Sequence, residues 1–183
     1  MSDMHGLELI RPIAWAEVFE IWRADEESRP NWIAVWKERG FSSWEEWRVT
    51  TIVAPLDLVS REWRLYRVND PMRTVPTFRG GPFRTWAERY YNGEEMPTFA
   101  EIAKHPDFET GEGVPELMEN FPKETTVTGI VTDIGIVIGE GMHRCTAVAR
   151  AAIVGRAIAG EFFIALADFR GEKISVPTRD TRK

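Results

Sequence analysis

The densest apolar run of the chain lies between residues 125 and 138, and a different pattern follows it at once. Its β-branched side chains are too closely spaced for a surface loop and predict a strand. Gly135, beside Asp133, allows the run to divide into a hairpin of two strands. From Met142 onward the alanine-rich segment HRCTAVARAA predicts a helix. The β-branched residues that carry the strand prediction are Ile130, Val131, Ile134, Ile136, Val137 and Ile138.

The first 50 residues contain six of the eight tryptophans, mostly at helical spacing. One helix is predicted from Pro12 to near Pro30, a second over NWIAVWKERG, and a third over SSWEEWR with Ser42 or Ser43 as its cap. An aromatic stripe of this kind is typical of a core, and the alternative is a protein-interaction surface. Residues 1–48 are therefore predicted to form a tryptophan-rich helical N-terminal extension.

The pattern changes near Val49, where β-branched residues replace the aromatic helical spacing. Strands are predicted over 49–59, 63–68 and 161–169, and helices are predicted to begin near Trp86 and after Thr98. The acidic stretch 106–122, rich in Gly and Pro, is predicted to be a mobile segment. The fold class that follows is α/β (α+β), with a small mixed sheet and its helices over residues 49–183.

Composition excludes several classes of protein. The chain has 183 residues, with 43% hydrophobic and 28% charged residues, and no apolar run long enough to span a membrane. The start of the chain has no basic region followed by an apolar one, so no signal peptide is predicted. A single cysteine gives no disulfide framework within the chain, and three separated histidines give no metal-ligand spacing. A cytoplasmic protein without a metal site of its own is expected.

The net charge of −6 disfavours nucleic acid as the main partner, because nucleic-acid binders are usually basic. The charge is unevenly distributed, however. Residues 61–90 hold seven arginines against three acids, and residues 91–120 hold eight acids against one lysine. Two solvated surfaces of opposite charge would explain this pattern. The alternative is a basic surface next to an anion site, followed by an acidic segment.

The turn between the predicted strand and the helix is a candidate phosphate site. Amides at a helix start lack intrahelical partners and carry the positive end of the helix dipole. Glycines before them allow an anion to approach closely, and an arginine in the first turn offers a forked donor. Because most such turns bind nothing, an empty turn is the alternative. The candidate phosphate-binding residues are Gly139, Gly141, Met142, His143, Arg144 and Cys145.

The segment GMHRCTA, residues 141–147, follows a β-branched strand and resembles the signature turn of the ParB and sulfiredoxin superfamily, which is distantly related to free-serine kinases. Sulfiredoxins carry Gly-Cys-His-Arg at this turn and ParB proteins carry Gly-Glu-Arg-Arg. The resemblance implies that residues 49–183 form a nucleotide-binding domain that holds the phosphates of ATP or CTP. Met142 stands where sulfiredoxins have their catalytic cysteine, so the resemblance does not extend to sulfinic-acid reduction.

Glu140 and His143 are the candidate catalytic residues. Glu140 can serve as a base or hold Mg²⁺ between itself and phosphate, or it can be a solvated turn residue. The helix dipole disfavours a charged His143, and a bound phosphate reverses that preference. The expected function is nucleotide binding that supports phosphoryl transfer or hydrolysis on a small-molecule or protein substrate, which the sequence does not identify. The alternatives are a nucleotide-gated DNA- or protein-binding module of ParB type and a non-catalytic protein-interaction domain.

Overall fold

A computed structural model describes Met4 and residues 6–174 of the chain. The strands are β1 (Leu7–Ile13), β2 (Trp63–Val68), β3 (Glu124–Thr132), β4 (Gly135–Glu140) and β5 (Glu161–Asp168). The helices are α1 (Trp15–Glu26), α2 (Pro30–Glu38), α3 (Trp44–Arg48), α4 (Pro71–Thr74), α5 (Arg84–Tyr90), α6 (Phe99–Ile102), α7 (Asp107–Thr110), α8 (Val114–Glu119) and α9 (Met142–Ile153).

The five strands form one mixed sheet in the order β1-β2-β5-β3-β4. β3 and β5 are parallel neighbours, and all other neighbouring pairs are antiparallel. Parallel neighbours need a crossover connection, and here β4 and α9 supply it. The predicted α/β (α+β) class with a small mixed sheet is confirmed. The predicted hairpin at Gly135, the helix beginning at Met142 and the strand after Gly160 are confirmed as well.

Helices cover both faces of the sheet. Side chains of the central strand β5 therefore alternate between two cores. Phe162, Ile164 and Leu166 belong to a core that includes the buried face of α9. Ala165 and Ala167 point to the other face and belong to a core built largely from α1 and α3. We call this second cluster the tryptophan core. It contains Trp22, Trp44, Trp47 and Trp63, all of them buried.

The description of residues 1–48 as a helical extension is wrong for its first part. Residues 7–13 form strand β1, which pairs with β2 at the edge of the same sheet. Pro12, predicted to lie in the first turn of a helix, lies in this edge strand, where a missing N–H is tolerated. The three predicted helices follow as α1, α2 and α3, and Ser43 caps α3 by accepting a hydrogen bond from the Glu46 amide at 3.1 Å.

The strand predicted over residues 49–59 is also wrong. The chain continues from α3 into a π-helical turn over Val49–Val53 and a 3₁₀ turn over Leu58–Ser60. Val53 and Leu58 are buried in the tryptophan core, so packing against aromatic rings outweighs the β propensity of the run. The acidic stretch predicted to be mobile forms α7 and α8. Among Met4 and residues 6–174, no helix has the length and apolarity needed to cross a membrane.

Candidate functional site

A β-bulge at Gly139 decides where the candidate catalytic acid points. Ile138 is paired with Gly129 and Glu140 with Thr128, so Gly139 is an extra residue in β4. One inserted residue reverses the alternation of faces along a strand. Glu140 therefore lies on the same face as Thr128, whose hydroxyl accepts a hydrogen bond from Trp22 Nε1 at 2.6 Å. This is the face covered by α1, and it brings a carboxyl group between the sheet and the N-terminal helices.

Gly141 forms the turn into α9 and must be glycine for two reasons. Its φ of 98° lies in the left-handed region, and a Cβ atom there would lie 2.3 Å from Val127 Cγ1. The glycine thus lets α9 begin directly against β3. The predicted sequence of strand, glycine turn and helix start is present, and its three predicted polar side chains, on Glu140, His143 and Arg144, all lie at this helix start.

Arg144 is held by several partners at once. Its Nη1 atom donates to Thr125 Oγ1 at 2.7 Å and to the Thr126 carbonyl oxygen at 3.0 Å. Its Nη2 atom donates to Glu140 Oε1 in a short contact. These contacts fix the guanidinium group, and the Arg144 side chain is only 14% exposed. The ion pair joins Glu140, before the β4–α9 turn, to Arg144, after it.

Glu140 is a buried acid that is only partly satisfied. Its Oε2 atom is buried and has no hydrogen-bond partner among the residues that the structure describes. Burial raises the pKa of Glu140 to about 8, Arg144 opposes that rise, and the nearby Asp25 carboxyl group adds to it. Around neutral pH the folded protein therefore holds a proton on Glu140 that a solvent-exposed glutamate would have lost.

Asp25 and Arg29 belong to this site although they lie far from it in the sequence. Asp25, in the last turn of α1, accepts a hydrogen bond from Arg29 with Oδ1, in a short contact. Its Oδ2 atom lies 3.6 Å from Arg144 Nη2. Sequence reasoning missed both residues. The segment that carries them, ADEESR, looks like an ordinary charged end of a helix, and only the packing of α1 against β4 reveals its role.

His143 lies beside the charged cluster, half-buried against an aromatic residue. Its ring is in edge contact with Trp86, with 5.0 Å between the ring centroids. Burial lowers the pKa of His143, and the charge of Arg29 lowers it further, while Glu112 and Asp25 raise it. The imidazole is therefore neutral at neutral pH, with one nitrogen able to donate a hydrogen bond and one able to accept.

Three further predicted site residues, Met142, Cys145 and Gly139, make contacts within the fold. Met142 is buried, and its sulfur accepts a hydrogen bond from the Gly81 amide at 3.4 Å. Cys145, also predicted to bind phosphate, presents neither its amide nor its side chain to solvent. Its amide donates to the Gly141 carbonyl oxygen at 3.0 Å, its side chain is fully buried, and burial raises the pKa of its thiol. Gly139 shapes the bulge within β4 instead of framing an exposed turn.

The arginines around the loop before α5 have partners within the protein. Arg79 donates to the carbonyl oxygens of Ile134 at 2.7 Å and Met96 at 3.0 Å, so it ties the loop to the β3–β4 turn. Arg84 pairs with Glu88 on the surface of α5. Within residues 4 and 6–174, no group of three or more His, Cys, Asp or Glu side chains is arranged to hold a metal ion.

What the cluster can do follows from its charges. It joins a fixed guanidinium group, a buried acid with a pKa near neutrality, a neutral imidazole and a helix start. Such a set can bind an anion and move a proton. Comparisons of the chain with protein-family models, curated proteins and solved structures find no match.

Proposed function

We propose that the start of α9 binds the phosphates of a nucleotide, ATP or CTP, and that Glu140 supports phosphoryl transfer or nucleotide hydrolysis there. One observation carries the proposal. Glu140 at the end of β4 pairs with Arg144 in the first turn of α9, Glu140 is buried and Arg144 largely so, and Glu140 keeps one oxygen without a partner among the described residues. Buried ionisable groups that lack a full set of hydrogen-bond partners destabilise a fold and are typical of functional sites.

The protonation of Glu140 removes an objection to phosphate binding at this position. An ionised carboxylate next to phosphate repels it unless a metal ion or a proton lies between them. With its pKa raised to about 8, Glu140 holds a proton over most of the neutral range and can donate a hydrogen bond to a phosphate oxygen. An acid with this pKa is also well placed to give and take protons during a reaction near neutral pH.

Arg144 and His143 complete the proposed phosphate site. Arg144 presents a charged fork whose position Thr125 and Thr126 already fix, so little side-chain freedom is lost on binding. The neutral His143 ring can donate to a phosphate oxygen from the same helical turn. Magnesium, in this proposal, arrives with the nucleotide and is held mainly by its phosphates. A small-molecule or protein acceptor and a cytoplasmic location remain part of the proposal.

The first test is ligand-induced stabilisation. A ligand that binds only the folded state raises stability by about 2.7 kcal/mol at a hundredfold excess over its dissociation constant. We expect ATP or CTP with magnesium to raise the melting temperature. Sodium chloride at the same ionic strength, or adenosine, should leave it unchanged. If no nucleotide shifts the melting temperature at millimolar concentration, the nucleotide site is refuted.

The second test separates an enzyme from a binding module. We expect Glu140→Gln, which mimics the protonated acid, to bind nucleotide as well as the wild type but to lose phosphate or diphosphate release. Loss of a general acid or base lowers the rate on the order of a hundredfold or more. Equal turnover in the two proteins would contradict the catalytic role of Glu140. Binding without turnover in either protein, over a panel of acceptors, would favour the nucleotide-gated module.

A further inference from the structure

The carboxylate of Asp25 lies between two arginines from different elements. Its Oδ1 atom accepts a hydrogen bond from Arg29, which is the N-cap residue of α2. Its Oδ2 atom lies 3.6 Å from Arg144 Nη2, in the first turn of α9. Each oxygen of one carboxylate thus faces a different guanidinium group. Two guanidinium groups around one anion form a common arrangement for binding phosphate.

The surroundings of Asp25 indicate that its place is exchangeable. The side chain of Asp25 is 30% exposed and that of Arg29 is 56% exposed, so both are reached by solvent. Arg144, by contrast, is fixed and mostly buried. A solvent-accessible carboxylate and a solvent-accessible arginine therefore lie next to a fixed arginine. Breaking the contact between Asp25 and Arg29 costs little stability, because ion pairs that solvent reaches contribute little.

A second, independent feature points to the same position. Glu140 is almost fully buried beside Arg144, and its Oε2 atom has no hydrogen-bond partner among the described residues. Glu140 therefore has hydrogen-bonding capacity left for an anion beside Arg144, to which its protonated form can donate. A phosphate group carries more charge than a carboxylate and has more acceptor oxygens, so it can satisfy both arginines and Glu140 together.

We propose that Arg29 is a second phosphate-binding residue and that Asp25 occupies the anion position between Arg29 and Arg144 until the phosphates of a ligand replace it. This inference rests on the proposed function, since it names the group that occupies the same site before the ligand binds. Asp25 acts as an internal competitor for the ligand. Its removal strengthens binding, whereas removal of Arg29 weakens it.

The test uses the full chain and isothermal titration calorimetry with ATP and, separately, with inorganic triphosphate. Asp25→Asn should bind both ligands about tenfold more tightly than the wild type, because a nearby like charge is removed. Arg29→Gln should bind both about tenfold more weakly. The use of triphosphate distinguishes a phosphate site from recognition of the base.

Matched controls separate this contact from a general change in charge. Glu20→Gln removes one acid from the same helix, where its partner is Arg23, and should leave both affinities unchanged. Arg11→Gln removes an exposed arginine whose partner is Glu17, and should also have no effect. Circular dichroism at the titration temperature confirms that each variant is folded.

The outcomes distinguish this inference from the proposed function. If the wild type binds ATP and Asp25→Asn binds it no better, the competitor role is overturned and the nucleotide site stands. The inference is also overturned if Glu20→Gln gains as much as Asp25→Asn, if the gain is confined to ATP, or if Arg29→Gln binds like the wild type. If neither the wild type nor Asp25→Asn binds either ligand, the proposed function fails and the inference fails with it.

Discussion

Two buried Arg–Glu pairs lie close to each other on the face of the sheet that α1 covers, and they differ in how completely they are satisfied. Glu26 accepts hydrogen bonds from Arg48 Nε and Arg48 Nη2, each at 2.6 Å, and from Trp44 Nε1 at 2.9 Å. Glu140 accepts one hydrogen bond from Arg144, and its second oxygen has no partner among the described residues.

The difference is the basis for proposing that the pair at Glu140 is functional and the pair at Glu26 is structural. The forked contact of Arg48 and the indole of Trp44 give both oxygens of Glu26 a hydrogen-bond partner. The Arg48 guanidinium also lies 3.9 Å from the ring centroid of Trp47, which fixes it within the tryptophan core. The pair at Glu140 instead keeps free hydrogen-bonding capacity next to a helix start and the Asp25 carboxylate. Burial alone therefore does not distinguish the two pairs, whereas the hydrogen bonds of the two carboxyl groups do.

Breaking the satisfied pair should produce the largest loss of stability. Arg48→Ala leaves the Glu26 carboxylate buried without its cation and is expected to lower the free energy of unfolding by about 3–5 kcal/mol. Chemical denaturation monitored by tryptophan fluorescence measures this loss. Arg84→Ala, which breaks the exposed pair with Glu88, serves as the control and should change stability by about 1 kcal/mol or less. Similar losses in the two variants would contradict the structural role of the Arg48 pair.

The pair at Glu140 should instead give stability a dependence on pH. Glu140 has an ordinary pKa of 4.5 and a folded-state pKa of about 8, so between these values the folded state holds the extra proton. The free energy of unfolding must therefore fall as the pH rises through this window, by at most about 1.4 kcal/mol per pH unit, and level off above it. Glu140→Gln cannot titrate and should lack this fall.

The measurement is chemical denaturation of the wild type and Glu140→Gln from about pH 5 to about pH 9. The lowered pKa of His143 acts with the opposite sign, because stability is lost as the pH falls below 6.5, and the difference between the two proteins cancels it. A difference that stays constant over the whole range would show that Glu140 remains ionised in the folded protein.

The sequence predicted the parts of the fold that depend on local pattern. The β4–α9 unit was predicted because β-branched residues and alanines separate cleanly on the two sides of Gly141. β1 and the turn after α3 were missed because tertiary context decided them. The strand LELIRPI needs β2 beside it, and Val53 is drawn into a helical turn by the aromatic core.

The candidate site divides in the same way. Glu140, His143 and Arg144 were found because they are neighbours in the sequence, around a turn with recognisable chemistry. Asp25 and Arg29 were not found, because more than 100 residues separate them from the turn and only the packing of α1 joins the two regions. The bulge at Gly139, which turns Glu140 toward α1, was also missed, since register depends on pairing with β3.

The most direct test of the account compares the two arginines in one nucleotide titration. Arg144→Lys and Arg48→Lys each keep the positive charge but lose the forked donor. At a temperature where both variants are folded, we predict that Arg144→Lys binds ATP or CTP about tenfold more weakly, a loss of about 1.4 kcal/mol, and that Arg48→Lys binds like the wild type. Wild-type affinity in Arg144→Lys, or an equal loss in the two variants, would contradict the assignment of the Glu140–Arg144 pair as the nucleotide site.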